Sequence, residues 1–119
     1  MPSTITFERG QVVVVQVTFT GQKGSKLRPA VIVSATAFHD GLPDVIICPI
    51  SSRPIDYARP GPGDHPLAHW QQVGLRHPST ARVSNLVAVE KTLIKRVIGT
   101  MPGEDFERIE AGMDFALGL

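Results

Sequence analysis

Residues 11–19 read Gln11-Val12-Val13-Val14-Val15-Gln16-Val17-Thr18-Phe19, with four valines in succession. β-Branched side chains lose rotamer freedom in a helix and pack well on a pleated surface, so the run reads as a strand. Neighbouring residues of a strand point to opposite faces, so an unbroken valine run makes both faces apolar. Such a strand suits a small barrel or closed sheet better than the edge of a one-sided one. The remainder of the chain must therefore supply strands that enclose it.

Candidates are at hand. A second strand is expected from Pro29 to about Ser34, its proline at a first position where the missing N–H is tolerated. A third is expected over Asp44-Val45-Ile46-Ile47-Cys48-Pro49-Ile50, with Pro49 marking a stop or bulge in the ladder. Ala35 to Pro43 is a connection that holds a solvated His39. Arg53 to Pro66 contains Pro54, Pro60, Pro62 and Pro66 with Gly61 and Gly63 and has no periodicity. Connections of that length inside a compact domain are usually functional or disordered. Short strands are expected at Leu67–Gln72, Ser79–Leu86, Val87–Glu90 and Ile94–Gly99. Then the pattern changes. Glu104 and Asp105 follow Pro102-Gly103, and Phe106, Ile109, Met113, Ala116 and Leu117 recur at helical spacing before Gly118. An amphipathic C-terminal helix over a mainly β structure, α+β in class, fits one domain over residues 1–119.

A net charge of +1 excludes a strongly basic nucleic-acid coat but not a local positive patch. The single cysteine, Cys48, lies in an apolar run and reads as a buried small hydrophobe in a reducing compartment. Residues 1–9 lack the apolar core of a signal peptide, and no segment approaches the ~20 apolar residues of a membrane span. A cytoplasmic protein without membrane attachment is expected.

His65 and His69 are four apart, but Pro66 argues against a shared helical face, and no second cysteine or acidic run joins them. Neither a metal nor another cofactor is expected. A nucleophile elbow and a phosphate-cradling glycine pattern are both missing. What remains lies at loop–strand junctions. Arg28 closes the polar loop Gly24-Ser25-Lys26-Leu27 and is held extended by Pro29. Ser51 and Ser52 end the third strand, and Arg82 lies in a later one. Arginine presents planar donors matched to phosphate oxygens, so two guanidiniums and a hydroxyl beside a sheet would suit a phosphodiester. Spacing alone leaves open a solvated loop-end arginine, turn serines and an arginine on an exposed strand face.

In order, the chain carries Arg9-Gly10-Gln11-Val12, Arg28-Pro29, Pro49-Ile50-Ser51, Gly74-Leu75, Ser79-Thr80-Ala81-Arg82-Val83 and a helix closing Ala116-Leu117-Gly118-Leu119. In that series the sequence resembles the MazF/PemK toxins of bacterial type II toxin–antitoxin systems over essentially its whole length. The resemblance implies a small SH3-like β-barrel of the MazF/CcdB/Kid type, usually a homodimer and neutralised by a cognate antitoxin. It implies a metal-independent endoribonuclease that cuts single-stranded RNA, the 2′-hydroxyl attacking phosphorus to leave a 2′,3′-cyclic phosphate and a 5′-hydroxyl. By the same resemblance the catalytic arginine falls on Arg28, the strand-ending serine or threonine on Ser51, and a further arginine of the Kid-like branch on Arg82. Lys23 and Lys26 on the first loop, with Ser52 and Arg53 after the third strand, are expected to bind RNA.

Two positions depart from the pattern. The acid that Kid-like members carry two residues after the last arginine is Ser84 here, and the acid often following the opening Arg-Gly is Gln11. The first departure leaves proton abstraction to another group or to solvent. Two other functions share the fold: a CcdB-like gyrase poison acting through the end of its C-terminal helix, and a member that binds RNA or antitoxin without cutting. Arg28-Pro29 and Ser51 favour the nuclease, because a gyrase binder has no need of them.

Overall fold

The structure, a computed structural model, describes residues 6–17 and 24–119. Strands β1 (Gln11–Val17), β2 (Lys26–Ile32), β3 (Asp44–Ser51), β4 (His65–Pro66), β5 (Thr80–Ala81), β6 (Val87–Glu90) and β7 (Ile94–Thr100) alternate with helices α1 (Thr36–His39), α2 (Pro54–Ala58) and α3 (Gly103–Leu117). The strands form an antiparallel sheet in the order β4-β5-β3-β2-β1-β7, with β6 also paired to β3. The class is the α+β expected. The sheet is open, however: its hydrogen-bonded path among the described residues does not close into a barrel.

The valine run behaves as its pattern requires. Val12 joins a core with Val31, Val33, Cys48, Ile50 and Ile109, whereas Val13 and Val15 join a second core with Phe7, Ala30, Ile32, Val45 and Ile47. Helix α3 covers the first core through Ile109, Phe106 and Met113. It ends as predicted, with Gly118 in the left-handed region at φ 71° and its N–H on the Asp114 carbonyl.

Strand β3 is the hub. It pairs with β2 through Ile47–Pro49, with β6 through Asp44–Ile47 and with β5 through Ile50–Ser51. Pro49 does not end the strand; it marks where the ladder with β2 stops, and its carbonyl, on the edge away from β2, accepts the Arg82 N–H at 2.8 Å. β2 starts at Lys26, so Pro29 is its fourth residue, opposite Val14 on β1 and beyond the reach of the β2–β3 ladder.

Of the four short strands expected, Val87–Glu90 and Ile94–Gly99 form within β6 and β7, and the other two give way at least in part to 3₁₀ turns. Leu67, Trp70 and Val73 recur every three residues, the spacing that stacks side chains in a 3₁₀ helix, and Trp70–Val73 forms one. Of the Ser79–Leu86 run only β5 is strand, because Val83–Asn85 turns away with the Asn85 N–H on the Arg82 carbonyl. His39 is buried rather than solvated. Its Nε2 lies 2.6 Å from the Phe7 carbonyl and its Nδ1 2.7 Å from Ser34 Oγ, which also accepts the Ile46 N–H. That hydrogen-bond set is the one made by a ring protonated on Nε2.

The proline-rich segment is docked on α3. A Cβ built on Gly112 would lie 2.1 Å from the Gly63 carbonyl oxygen, so only glycine lets the two backbones meet. Tyr57 Oη donates to the Leu67 carbonyl at 3.2 Å and ties down α2 as well. Gly112→Ala is expected to cost about 1–3 kcal/mol in urea unfolding, the usual range for overpacking. Gly103→Ala, where an added Cβ meets no atom within 4 Å, should leave the midpoint unchanged or raise it.

Candidate active-site groove

The groove opens where β2 and β3 part. Their register pairs Ala30 with Pro49; one continuing ladder would next set Pro29 opposite Ile50 and Arg28 opposite Ser51. Instead that ladder ends: β3 runs on with β5 on its other edge, while residues 26–29 keep β1 as their partner. Pro29 supplies no N–H toward β3 at the parting point, which favours separation there. The wedge is a groove of about 1040 Å³. Val15, Ala30 and Ile47 of the second core, with half-buried Val17, Val89 and Leu93 packed on it, supply its apolar lining, joined by Pro49. Arg28, Ser51, Ser52, Arg53 and Arg82 also line it.

Five of the seven residues singled out from the sequence thus share one groove. Lys26 faces a smaller adjoining hollow with Gln16, Leu27 and Lys95, and Lys23 lies outside the described residues. Arg28 is exposed, its guanidinium 3.4 Å from the Leu27 carbonyl. Arg82 sits at the junction of β5 and the following 3₁₀ turn, with its side chain 28% exposed rather than on an open strand face.

Two carboxylates that sequence reasoning missed stand behind this wall, both from the 53–66 segment. Ser51 Oγ donates to Asp56 Oδ2 at 2.6 Å and accepts the Arg53 N–H at 3.2 Å. Arg82 Nε donates to Asp64 Oδ2 at 3.4 Å, and one terminal nitrogen lies 3.8 Å from Asp56 Oδ2. Ser84 holds Asp64 twice, through its N–H at 3.0 Å and its hydroxyl at 3.2 Å. Position 84 carries no carboxylate, and the one beside Arg82 comes from position 64. One sequence signal for α2 was present: a proline at the first helical position with an acid in the first turn. No local pattern could bring Asp64 to Arg82. Nearby, burial and then the Asp64 charge push the Cys48 thiol up to about 12, so it is no nucleophile.

The opening Arg9-Gly10 is structural: Arg9 donates to the Val33 carbonyl at 2.7 Å and pairs with Glu110 at 2.8 Å across the Phe106 ring. Gln11 Oε1 accepts the Glu8 N–H in the turn before β1.

His65 and His69 do meet acids, in a different way from a metal site. Asp105, 1% exposed, accepts from the N–H groups of Ala68 and His69 at 2.8 and 2.9 Å and lies 2.8 Å from His65 Nε2. His69 Nε2 lies 3.1 Å from Glu104. No cluster of three or more His, Cys, Asp or Glu that could hold a metal occurs among the described residues. Nor is any helix there long and apolar enough to cross a membrane.

A family model for PemK-like, MazF-like toxins of type II toxin–antitoxin systems matches residues 8–117. The chain belongs to this family. Solved members of similar fold include MazF in a MazE–MazF crystal from Deinococcus radiodurans, at TM-score 0.75 and 18% identity over 98% of this chain and 99% of that one. A mycobacterial endoribonuclease solved with its cognate antitoxin gives TM-score 0.73 and 20% identity over 94% of this chain and 95% of that one. The Mycobacterium tuberculosis toxin MazF-mt6 gives 0.72 and 20%, over 92% and 97%. No curated protein sequence matches the chain.

The Asp105 anchor yields a pH prediction. Burial alone would raise its pKa, but the hydrogen bonds from Ala68, His65 and His69 outweigh it and hold the group below the usual carboxylate range. A lowered native pKa gives stability that is present above about pH 4 and is lost as the pH falls through the native value. Asp105→Asn should therefore cost about 1.5–3 kcal/mol at pH 7, since charged acceptors make the stronger hydrogen bonds. Urea titrations between pH 7 and 3 should show that deficit shrinking on the acid side.

Proposed function

We propose that this toxin-family chain is a metal-independent endoribonuclease that cleaves single-stranded RNA, with Arg28, Ser51 and Arg82 as its catalytic residues. The observation that carries the reading is one groove, opened by the parting of β2 and β3, lined by all three side chains. The 2′-hydroxyl attacks the adjacent phosphorus, the P–O5′ bond breaks, and a 2′,3′-cyclic phosphate and a 5′-hydroxyl remain. Negative charge grows on the phosphoryl oxygens, and guanidiniums aimed at them lower the barrier. A guanidinium offers donors and no acceptor, so Arg28 and Arg82 serve as charge stabilisers. Ser51 donates to Asp56 in the free protein. Rotation of its hydroxyl toward the groove would let it donate to a phosphate oxygen. Ser52 and Arg53 at the rim, with Lys26 in the adjoining hollow, would add salt-sensitive affinity, as would Lys23 of the same loop sequence.

The solved MazE–MazF and endoribonuclease–antitoxin complexes support a cognate antitoxin as the partner that silences this chain. A cytoplasmic homodimer of single-domain subunits completes the proposal.

Purified protein, with EDTA present, should cut a mixed-sequence single-stranded RNA and leave 2′,3′-cyclic phosphate ends. Arg28→Ala should lower the rate about 100- to 1,000-fold, as removal of a transition-state donor does. Intact RNA with wild-type protein, or equal cleavage by Arg28→Ala, would sink the reading. Trapped gyrase–DNA breaks with intact RNA would point to the gyrase poison instead.

A further inference from the structure

Resting on the ribonuclease reading, we infer that Asp64 is a positioning residue for Arg82, supplying from the 53–66 segment the carboxylate that position 84 lacks. Arg82 lines the groove, while Asp64 lies behind the wall with its side chain only 2% exposed. The contact falls on Nε, the back of the guanidinium. Four of the five N–H donors of an arginine sit on the terminal nitrogens. Among the described residues those nitrogens reach Ser84 Oγ at 3.5 Å and Asp56 at 3.8 Å, which leaves donors for a ligand in the groove. A fork gripped from behind has a defined direction, and misplacement of a charge-stabilising group by about 1 Å can cost two orders of magnitude in rate.

Asp64 is itself immobilised. Ser84 binds both of its oxygens, and its own N–H donates to the Gly61 carbonyl at 3.0 Å. The neighbouring Gly63 rests against Gly112 of α3. This gives Ser84 a role too: it grips the acid from 64 instead of carrying one. The segment then acts as a brace that carries the carboxylate to the arginine.

The brace has an electrostatic sign that separates it from mere stability. A carboxylate beside Arg82 offsets positive charge in the groove and so weakens general attraction for RNA. Removing that charge should leave ground-state binding equal or tighter while slowing the chemical step. A variant that has simply lost structure would bind less.

The test uses Asp64→Asn, which keeps the shape and an acceptor for the Ser84 N–H. Single-turnover cleavage at saturating RNA should fall about 10- to 100-fold. Affinity for the same RNA with a 2′-O-methyl group at the cut site should be unchanged or higher. In an Arg82→Ala background the same substitution should cost less than about twofold, because both changes remove one coupled contact. Wild-type rates in Asp64→Asn, a full loss persisting in the Arg82→Ala background, or weakened binding would each overturn the inference. A second readout needs no activity. The Nε–H resonance of Arg82, assigned by its loss in Arg82→Lys, should be protected from exchange in the wild type and exposed in Asp64→Asn. Equal protection in both removes the contact itself. Failure of the wild type to cut RNA would overturn the ribonuclease reading, and that resonance would still report whether Asp64 holds Arg82.

Discussion

Everything at the groove depends on the β2–β3 ladder ending at Ala30–Pro49. Up to that pair β3 is an ordinary antiparallel neighbour of β2; beyond it β3 is paired with β5 on its other edge, where the Pro49 carbonyl already accepts the Arg82 N–H. Pro29 cannot donate to a continued ladder, so continuing it would gain less there than elsewhere. The separation keeps Arg28 on one lip and Ser51 on the other, where continued pairing would have brought their backbones together. Half-buried Val17, Val89 and Leu93, packed on the second core, give the groove apolar lining beside its polar rim.

Holding charge at such a wall is costly unless it is paired. Asp64 is nearly shut off from solvent, and a buried carboxylate without partners would cost several kcal/mol. Arg82, the Ser84 N–H and the Ser84 hydroxyl meet that cost and fix the geometry together. The same logic operates at the other end of α3, where Asp105 is buried under three donors and anchors residues 65–69. Gly63 against Gly112 closes the set. The proline-rich segment is held to α3 at Asp105 and at Gly112, and both groove-wall carboxylates ride on it.

How much of this was legible follows from the range of each interaction. The valine run, the third strand and α3 are written in local periodicity, and all three appear where their patterns place them. The 3₁₀ turns at Trp70–Val73 and Val83–Asn85 were hidden because short apolar runs suit a strand as well as a tight helix. The burial of His39 depends on Phe7 and Ser34, which a reading of its own connection does not include. The ordered series of family-like residues pointed to Arg28, Ser51 and Arg82, and the fold gathers them in one groove. Asp56 and Asp64 were invisible because their roles depend on where a long aperiodic segment returns to the sheet.

On the ribonuclease proposal, RNA places a phosphate in the wedge between the β2 and β3 lips. The decisive measurement is a crystal structure of the protein with a short single-stranded RNA, blocked by a 2′-O-methyl group at its cut site. The expected result is a phosphate within hydrogen-bond distance of the Arg28 and Arg82 guanidiniums, Ser51 Oγ turned from Asp56 toward it, and Arg82 Nε still on Asp64. RNA bound on another face, or a phosphate in the groove contacting neither arginine, would contradict it.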